Sequence, residues 1–273
     1  MSFRIAQITD THLSPARPLF DGNFAPLAEA LRDARPELVI HTGDLSLNGA
    51  DSDEDLRHGA AMMRSLGLDW VAVPGNHDVG DDLTLPSKQP VSVERFARWE
   101  NCVSPLGFFR DVPGWRIIGL DTQGFAANEG HRERIAAAIR GAGPRRIALF
   151  QHKPITEEAL ADTAVNYWPL LPAPRAELLA MFGGRRPDVI ASGHVHQWRD
   201  READGIRQIW APAVAFIVGD AFHVPVGHKL LGWIEHEFHE DGRHEAHLHA
   251  MENLTPYDLG EIPEAYGPLT RAA

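Results

Sequence analysis

Short apolar runs alternate with longer segments of helical periodicity over the first 190 residues. The short runs, in which every second residue or every residue is apolar, are typical of strands, and they lie at residues 3–8, 37–40, 70–73, 115–120, 147–150 and 189–190. Apolar positions three or four residues apart predict helices over 23–34, 53–66, 132–140 and 176–182. This alternation predicts an α/β fold in which helices cover both faces of a sheet.

The pattern changes after residue 200. Four strand-like segments follow one another with no helical stretch between them, at residues 206–210, 214–218, 230–238 and 243–249. We expect these strands to form a second, mostly antiparallel sheet that packs on the first. Because there is no internal repeat or linker, residues 1–273 are predicted to form a single domain, with a Pro- and Gly-rich tail (252–273) wrapping its surface.

The composition is that of an ordinary globular protein, with 273 residues of which 44% are hydrophobic, so the chain can bury a sizeable core. The lone Cys102 cannot form an intrachain disulfide, and no apolar run approaches the ~18 residues of a membrane span. These features, together with an N-terminus that lacks a targeting signal, predict a cytoplasmic protein with no membrane association. The net charge of -12 and only three lysines argue against nucleic acid as a partner.

Side chains of the metal-ligand type follow five of the predicted strands. They are Asp10 and His12, Asp44, Asn76 and His77, His152, and His194 with His196. In open α/β sheets, ligands bind beyond the carboxyl ends of the strands. The sequence therefore predicts that these side chains converge at one edge of the fold.

The spacing within the motifs suggests how they reach a common centre. In an extended segment, residues two apart point the same way, so Asp10 and His12 are expected to reach one ion, and His194 and His196 likewise. A glycine precedes Asp44 and also two other candidate ligands, where we expect the chain to turn sharply. Two Asp, one Asn and four His make seven ligands, with His77 left over. That number exceeds one tetrahedral site and suits two ions that share a carboxylate.

Five motifs, in this order, resemble the signature of the calcineurin-like metallophosphoesterases. They are Asp10-Thr11-His12, Gly43-Asp44, Gly75-Asn76-His77-Asp78, His152 and Gly193-His194-Val195-His196, and they span about two thirds of the chain. Within that family, the first motif is most similar to class III cyclic-nucleotide phosphodiesterases and to bacterial glycerophosphodiesterases. The resemblance implies a four-layer α/β/β/α sandwich of two mixed sheets flanked by helices.

The resemblance also implies a ligand set. The first metal ion takes Asp10, His12, Asp44 and His196. The second takes Asp44, Asn76, His152 and His194, so that Asp44 bridges. The remaining His77 contacts the phosphate and either stabilises developing charge or protonates the leaving oxygen. Ligands that mix carboxylate, amide and imidazole without thiolate favour Mn²⁺, Fe²⁺/Fe³⁺ or Zn²⁺.

The implied activity is hydrolysis of a small-molecule phosphodiester, a cyclic nucleotide such as cAMP or a glycerophosphodiester, by a hydroxide that bridges the two ions. Asp44, Asn76 and His77 are the predicted catalytic residues. Segment 43–49 lacks the Asp and Arg that follow Gly-Asp in the protein Ser/Thr phosphatases of this superfamily. That difference argues against a protein phosphatase and leaves the group that orients His77 open, with Asp78 as one candidate. A phosphomonoesterase of the family and a non-catalytic scaffold are the alternatives.

Several further residues have two interpretations each. His41 is expected to be structural, and Asp121 either forms a turn or supports the ligands. Five late histidines form a second metal site, a solvated sheet face or a contact in a homo-oligomer: His236, His239, His244, His247 and His249. His223 and His228 flank a turn-like stretch, and one of them lines the substrate pocket or neither does. Four aromatic residues stack a base or pack the core: Phe125, Tyr167, Trp168 and Trp198. Three long loops, at 79–107, 121–131 and 153–174, are expected to shape the substrate pocket.

Overall fold

Thirteen strands and seven helices are found in the computed structural model, which describes residues 2–266. The strands are β1 (Ser2–Ile8), β2 (Leu38–Thr42), β3 (Trp70–Val73), β4 (Phe108–Val112), β5 (Trp115–Leu120), β6 (Arg146–Gln151), β7 (Val189–Ser192), β8 (Arg199–Ala203), β9 (Ile206–Trp210), β10 (Phe216–Ile217), β11 (Gly232–His239), β12 (His244–Ala250) and β13 (Tyr257–Asp258). The helices are α1 (Phe24–Ala34), α2 (Asp53–Ser65), α3 (Asn76–Val79), α4 (Val93–Cys102), α5 (Glu129–Arg140), α6 (Pro172–Ala180) and α7 (Pro263–Tyr266).

The strands form two large mixed sheets. The first has the order β12-β11-β1-β2-β3, and the second has the order β4-β5-β6-β7-β9-β8. In the first sheet β1, β2 and β3 run parallel, whereas β11 pairs antiparallel with β1, and β12 antiparallel with β11. In the second sheet β5, β6, β7 and β9 run parallel, and β4 and β8 pair antiparallel at the two edges. Parallel neighbours place their carboxyl ends at the same edge, which brings the segments after β1, β2 and β3 together in one sheet and those after β6 and β7 in the other.

The late strands do not form a sheet of their own, so that expectation is wrong. β9 joins the second sheet beside β7, whereas β11 and β12 extend the first sheet beyond β1. Strands β5, β6 and β7, which the pattern assigned to the first sheet, make up half of the second. Alternation of apolar residues identifies a strand, but it carries no information about which neighbour the strand pairs with.

The four-layer arrangement is confirmed by three separate groups of buried side chains. Alternate residues of β1 face opposite ways: Ile5 packs between the two sheets, while Ile8 packs on the side of α1, α2 and α4. A third group, which includes Leu149, packs the outer face of the second sheet against α5 and α6. The order of layers is therefore helices, sheet, sheet, helices.

Six elements were not predicted from the sequence: the short elements α3, α7 and β13, and the longer β4, β8 and α4. The exposed edge strands β4 and β8 alternate polar and apolar residues only partly, as in the sequences of Phe108–Val112 and Arg199–Ala203. Helix α4 begins at the cap Ser92, whose hydroxyl accepts a hydrogen bond from the backbone N–H of Arg95, and it buries Trp99 against the first sheet. It lies within what was expected to be a long loop.

In the described part of the tail, residues 252–266, strand β13 pairs in parallel with β10, and Leu254 is buried in the apolar cluster between the first sheet and its helices. Residues 267–273 of the predicted tail lie outside the described residues. Among residues 2–266, none of the helices combines the length and apolar character that crossing a bilayer requires.

A buried glutamine joins the two sheets next to the predicted ligands. The side-chain N–H group of Gln7 donates to Thr42 Oγ1 (3.0 Å) and to the Ser192 carbonyl (3.2 Å), and its Oε1 accepts from His236 Nε2 (3.0 Å). Thr42 and Ser192 are the last residues of β2 and β7, immediately before the turns that carry Asp44 and His194. Gln7 therefore fixes the separation of two ligand-bearing turns across the sheet interface.

Two of the late histidines continue this network. Nδ1 of the buried His236 lies 3.0 Å from His244 Nε2, and Arg207 donates to the backbone carbonyl of His244 at 2.7 Å. Burial lowers the pKa of His236 to about 3, so it is neutral and serves as a hydrogen-bonding group. The expectation that these histidines form a metal site, a solvated face or a subunit contact is wrong for His236 and His244.

Replacing Gln7 by leucine should destabilise the protein. The Gln7→Leu variant keeps a side chain of similar size but removes the buried hydrogen bonds that Gln7 makes with Thr42, Ser192 and His236, at a cost of roughly 2–4 kcal/mol in the free energy of unfolding. Denaturant-induced unfolding measures this change. The matched control is Gln89→Leu, since the hydrogen bonds of Gln89 lie at the surface, and a loss in Gln7→Leu no larger than in the control contradicts the structural role.

Candidate metal centre

The seven predicted ligands lie together at the carboxyl ends of β1, β2, β6 and β7 and at the start of α3. All seven side chains are at most 5% exposed. Within residues 2–266, three groups of potential ligand atoms lie within 4.8 Å of one another: Asp10 with His12 and His196, Asp44 with His152 and His194, and His12 with Asp44 and His77. Two overlapping clusters therefore meet at one buried position.

Asp44 lies between the two clusters. Its Oδ2 is 3.2 Å from His152 Nε2 and 3.8 Å from His12 Nε2, so the same oxygen faces both sides. Its Oδ1 accepts a hydrogen bond from the backbone N–H of His77 at 2.9 Å, which fixes the orientation of the carboxylate. This is the geometry in which a single carboxylate can reach two ions.

Asp10 has one satisfied and one unsatisfied oxygen. Oδ2 accepts from the Thr9 hydroxyl (2.7 Å) and from the backbone N–H of His194 (3.0 Å). Oδ1 is fully buried, lies 3.2 Å from His196 Nε2, and accepts no hydrogen bond from the described residues. A buried carboxylate oxygen in this state is costly unless a cation contacts it.

Backbone carbonyls hold three of the histidines. His152 Nδ1 donates to Thr42 O at 2.8 Å, and His196 Nδ1 donates to Phe216 O at 2.7 Å. His194 uses the other nitrogen, with Nε2 at 3.4 Å from the carbonyl of Tyr167. With one nitrogen of each ring on a carbonyl, the opposite nitrogen is directed to the centre, where a deprotonated ring can offer its lone pair as metal-bound histidines do.

Asn76 is oriented by a tyrosine. Its Oδ1 lies 3.3 Å from His152 Nε2, and its Nδ2 donates to the hydroxyl of Tyr167 at 3.1 Å, so the amide oxygen faces the other ligands. Lys153 fixes the loop that carries this tyrosine, because its Nζ donates to the Tyr167 carbonyl at 2.8 Å. The sequence offered Tyr167 as a base-stacking or packing residue, and nothing in the spacing of loop 153–174 indicated a partner for Asn76.

The Tyr167→Phe substitution should lower kcat/KM about three- to tenfold, the effect of losing one partly exposed hydrogen bond. The reason is that Asn76 loses the acceptor that orients its amide, while the ring contacts remain. Steady-state kinetics and a Mn²⁺ titration check both consequences. Tyr257→Phe, outside the cavity, is the control, and an unchanged kcat/KM in Tyr167→Phe would show that Asn76 needs no such partner.

The backbone at the ligands is left-handed. Of seven non-glycine residues with positive φ in the range 2–266, five are predicted ligands: Asp10 (54°), His12 (46°), Asp44 (54°), His194 (69°) and His196 (51°). The expectation that each ligand pair lies on an extended segment is therefore wrong. Such conformations cost roughly 1–2 kcal/mol per residue, and they persist where the surrounding structure enforces them, commonly at functional sites.

The glycines before the ligands serve close packing as much as turning. Only Gly43, with φ of 96°, has the positive φ that a sharp turn demands. Gly75 and Gly193 have no positive φ, but a Cβ on Gly75 would overlap Asp44 Oδ1, and a Cβ on Gly193 would overlap the Thr9 hydroxyl. Absence of a side chain at these positions lets the ligand turns approach one another.

The carbonyl of Leu47 orients His77, since the Nδ1 of His77 lies 3.2 Å from it. Asp78, which the sequence offered as the group that orients His77, has a different role. Its two carboxylate oxygens accept hydrogen bonds from the backbone N–H groups of Gly75, Leu45 and Ser46 and from the Ser46 hydroxyl. Asp78 thus shapes the turn that carries Asp44, and His77 is held against the cavity by the main chain.

Buried charges compensate one another at the centre. Burial disfavours ionised Asp10, but the adjacent His196 outweighs burial and lowers the pKa of Asp10 to about 2. Burial likewise disfavours protonated His152, yet Asp44 raises the pKa of His152 to about 9. Both carboxylates therefore remain ionised inside the protein, and positive charge has to be present beside them.

The other candidate residues have structural roles. His41 is buried, with contacts to the Thr11 hydroxyl (3.0 Å) and the Gly43 amide (3.2 Å). The Asp121 carboxylate accepts from the backbone N–H groups of Gln123 and Gly124, which confirms its role in a turn. His247 is half exposed on the outer face of β12. In the described part of the chain, the late histidines belong to none of the potential metal-binding groups.

A cavity of about 340 Å³ opens above the ligands. Four of the predicted ligands and His77 line one side, and six side chains line the rest: Tyr167, Trp168, Phe216, Val218, Phe222 and Leu259. Loop 153–174 contributes as expected, whereas loops 79–107 and 121–131 supply none of the described lining residues. Of the four aromatic residues considered for stacking, Tyr167 and Trp168 lie in this cavity and Phe125 is buried in the core.

Comparison with known proteins agrees with this arrangement. A sequence profile described as calcineurin-like phosphoesterase matches residues 3–198. A protein from Psychrobacter arcticus named "probable cyclic nucleotide phosphodiesterase" is 26% identical over 244 residues, which cover 78% of this chain and 80% of that protein. An Arcobacter nitrofigilis protein named "probable glycerophosphodiester phosphodiesterase GpdQ" is 25% identical over 207 residues, or 71% of each chain.

Similar folds occur among solved structures at much lower identity. Purple acid phosphatase PPD1 from yellow lupin superposes with a TM-score of 0.66 at 14% identity. The match covers 94% of this chain but 53% of the lupin chain, so this protein spans about half the length of that phosphatase. At this identity the likeness concerns the fold alone.

Proposed function

The chain belongs to the calcineurin-like phosphoesterase family, and we propose that it hydrolyses a small-molecule phosphodiester with the help of two metal ions. The observation that carries the proposal is the convergence of seven buried donor side chains around Asp44, in overlapping groups of potential ligand atoms that Asn76 joins through His152. The names of its relatives from Psychrobacter arcticus and Arcobacter nitrofigilis support a diester substrate, a cyclic nucleotide or a glycerophosphodiester.

The donor set fits a pair of divalent or trivalent ions. Two buried carboxylates need positive charge beside them, Oδ1 of Asp10 accepts no hydrogen bond from residues 2–266, and three imidazoles direct their second nitrogen to the centre. One ion would be held by Asp10, His12, Asp44 and His196, and the other by Asp44, Asn76, His152 and His194. Carboxylate, amide and imidazole donors suit Mn²⁺, Fe²⁺/Fe³⁺ or Zn²⁺. When bound, such ions would neutralise phosphoryl oxygens and provide a nucleophilic water at neutral pH.

The chain's own residues then position the substrate and move the proton. Asn76 and His77 lie side by side at the start of α3, where they hold the phosphoryl group. The Leu47 carbonyl fixes Nδ1 of His77, so Nε2 is the nitrogen that delivers a proton to the leaving oxygen. The side chains at the bottom of the cavity are nearly fully buried, which limits water to the space above them.

The lining of the cavity favours a diester over a monoester. Among the described lining residues there is no lysine or arginine, and Asp44 is the one carboxylate. A diester carries one negative charge, whereas a monoester near neutral pH carries close to two and gains more from additional cationic side chains. The small cavity and the chain's net charge of -12 also disfavour nucleic acid as substrate.

A metal and substrate panel tests the proposal. The purified protein is stripped with a chelator, reconstituted with Mn²⁺, Fe²⁺ or Zn²⁺, and analysed for metal content. Activity is then measured on bis(p-nitrophenyl) phosphate, p-nitrophenyl phosphate, cAMP and a glycerophosphodiester. We expect two ions per chain and turnover of diesters that chelation abolishes.

Each alternative predicts a different outcome of this panel. Hydrolysis of the monoester alone would replace the diesterase by a phosphomonoesterase. No turnover and no stoichiometric metal would identify a scaffold. Cytoplasmic location and assembly into a homo-oligomer stay predictions from the sequence, and the mass of the purified protein in solution tests the second.

A further inference from the structure

One side of the cavity is apolar. Beside the predicted ligands, the wall is built from Trp168, Phe216, Val218, Phe222 and Leu259. None of these side chains carries a charge or a carbonyl-type acceptor. A substrate whose phosphoryl group lies against the ligands must place its organic group along this wall.

Much of the wall comes from outside the part of the chain that the family profile matches, residues 3–198. Leu259 belongs to the tail segment, and Phe216 to β10, which pairs with β13 of that segment. Oδ1 of Asp258 accepts from the backbone N–H of Gly219 (3.1 Å) and from that of Gly260 (2.9 Å). This carboxylate ties the loop after β10 to the turn that carries Leu259.

The wall is rigidly joined to the ligands. The ring of Phe216 stacks on His196 with centroids 4.3 Å apart, and the Phe216 carbonyl accepts from His196 Nδ1 at 2.7 Å. On its other side, Phe216 packs on Phe20 at 5.0 Å. The apolar surface therefore has a fixed distance from the position of the phosphoryl group.

We infer that this wall determines substrate specificity, and that the preferred substrate carries an uncharged, apolar or aromatic organic group esterified to its phosphoryl group. Leu259 and Phe222 are the specificity-determining residues, because both are partly exposed, as Trp168 is, and because they alone of these three lie in the segments that Asp258 joins. The volume of about 340 Å³ is at the low end of ligand cavities, ~300–1,000 Å³. It suits one such group rather than two. A charged headgroup would lose its hydration against the wall without gaining a partner.

The inference rests on the proposed function, so its test uses binding rather than turnover. Phenylphosphonate, methylphosphonate and 2-aminoethylphosphonate share a phosphonate that is not hydrolysed, and they differ in the organic group. Calorimetric titration of the Mn²⁺-loaded protein should show phenylphosphonate binding at least about tenfold tighter than the other two, since only the phenyl ring buries substantial apolar area.

Variants assign the preference to the wall. In Leu259→Asp the preference for phenylphosphonate should disappear, while Leu259→Met should keep it. Leu83→Asp is the matched control, because Leu83 is 62% exposed and is not a lining residue. Circular dichroism of Leu259→Asp establishes that the variant is folded.

Two results would overturn the inference. One is equal binding of the three phosphonates, and the other is tightest binding of 2-aminoethylphosphonate, which would mean that the aromatic rings recognise a cation. Diester turnover in the substrate panel separates this inference from the proposed function. If the protein hydrolyses diesters but shows either of these binding results, the proposed function stands and the inferred specificity is wrong. A preference that survives in Leu259→Asp equally overturns the assigned role of Leu259.

Discussion

Replacing Asp44 by asparagine should reduce kcat/KM at least about a thousandfold and lower the metal content from two ions per chain to one or none. The reason is that Oδ2 of Asp44 is the oxygen that faces both ligand groups, and a neutral amide cannot balance two cations. Asparagine is the informative replacement because Asp44 has a φ of 54°, a conformation that asparagine tolerates and alanine does not.

Metal analysis by mass spectrometry and steady-state kinetics measure both effects in Asp44→Asn. The matched control is Asp241→Asn, at an exposed turn, which should retain wild-type metal content and activity. Thermal unfolding shows whether Asp44→Asn is folded, since His77 can still donate its backbone N–H to the amide oxygen. A folded variant with two ions per chain would refute the bridging position of Asp44.

Replacing His77 by asparagine should lower kcat by roughly 10²–10⁴-fold, the range for loss of a general acid, without changing the metal content. Asparagine keeps an N–H donor near the Leu47 carbonyl but removes the outer nitrogen of the ring. The variant therefore separates the proton-delivering group from the ligands beside it.

The leaving group distinguishes proton transfer from charge stabilisation. A p-nitrophenolate group leaves without being protonated, whereas an alkoxide needs a proton in order to leave. His77→Asn should therefore lose more activity on an alkyl diester than on bis(p-nitrophenyl) phosphate. His247→Asn, on the outer face of β12, should leave both activities unchanged. Equal losses on both substrates would exclude the general-acid role, and loss of metal would make His77 a ligand.

Local patterns were sufficient for most strands but not for their partners. Ile5 and Ile8 were recognisable as parts of a strand, because the strand period is two and each side of β1 faces an apolar layer. Placing β9 beside β7, or β11 beside β1, required contacts between residues far apart in the chain. For the same reason the sequence did not indicate that Gln7 joins the two sheets, since its partners Ser192 and His236 lie in strands distant in sequence.

At the site, too, the sequence indicated the side chains but not their arrangement. Motifs indicated which side chains could bind metal, and they did not indicate the left-handed backbone at Asp10 or the carbonyls that set the histidine tautomers. Nor did they indicate Tyr167, whose contact with Asn76 depends on how a long loop folds over the centre.

By itself the sequence determined the kinds of donor atoms, their order along the chain and their position after strands. These are local properties, because a short stretch of sequence is enough to recognise a motif or the period-two pattern of a strand. Only the tertiary structure decided which oxygen of Asp44 faces both ligand groups, and that the tail supplies Leu259 to the cavity. The physical reason is that distances between remote segments are set by packing of the two sheets and by buried hydrogen bonds across them, which no short stretch of sequence contains.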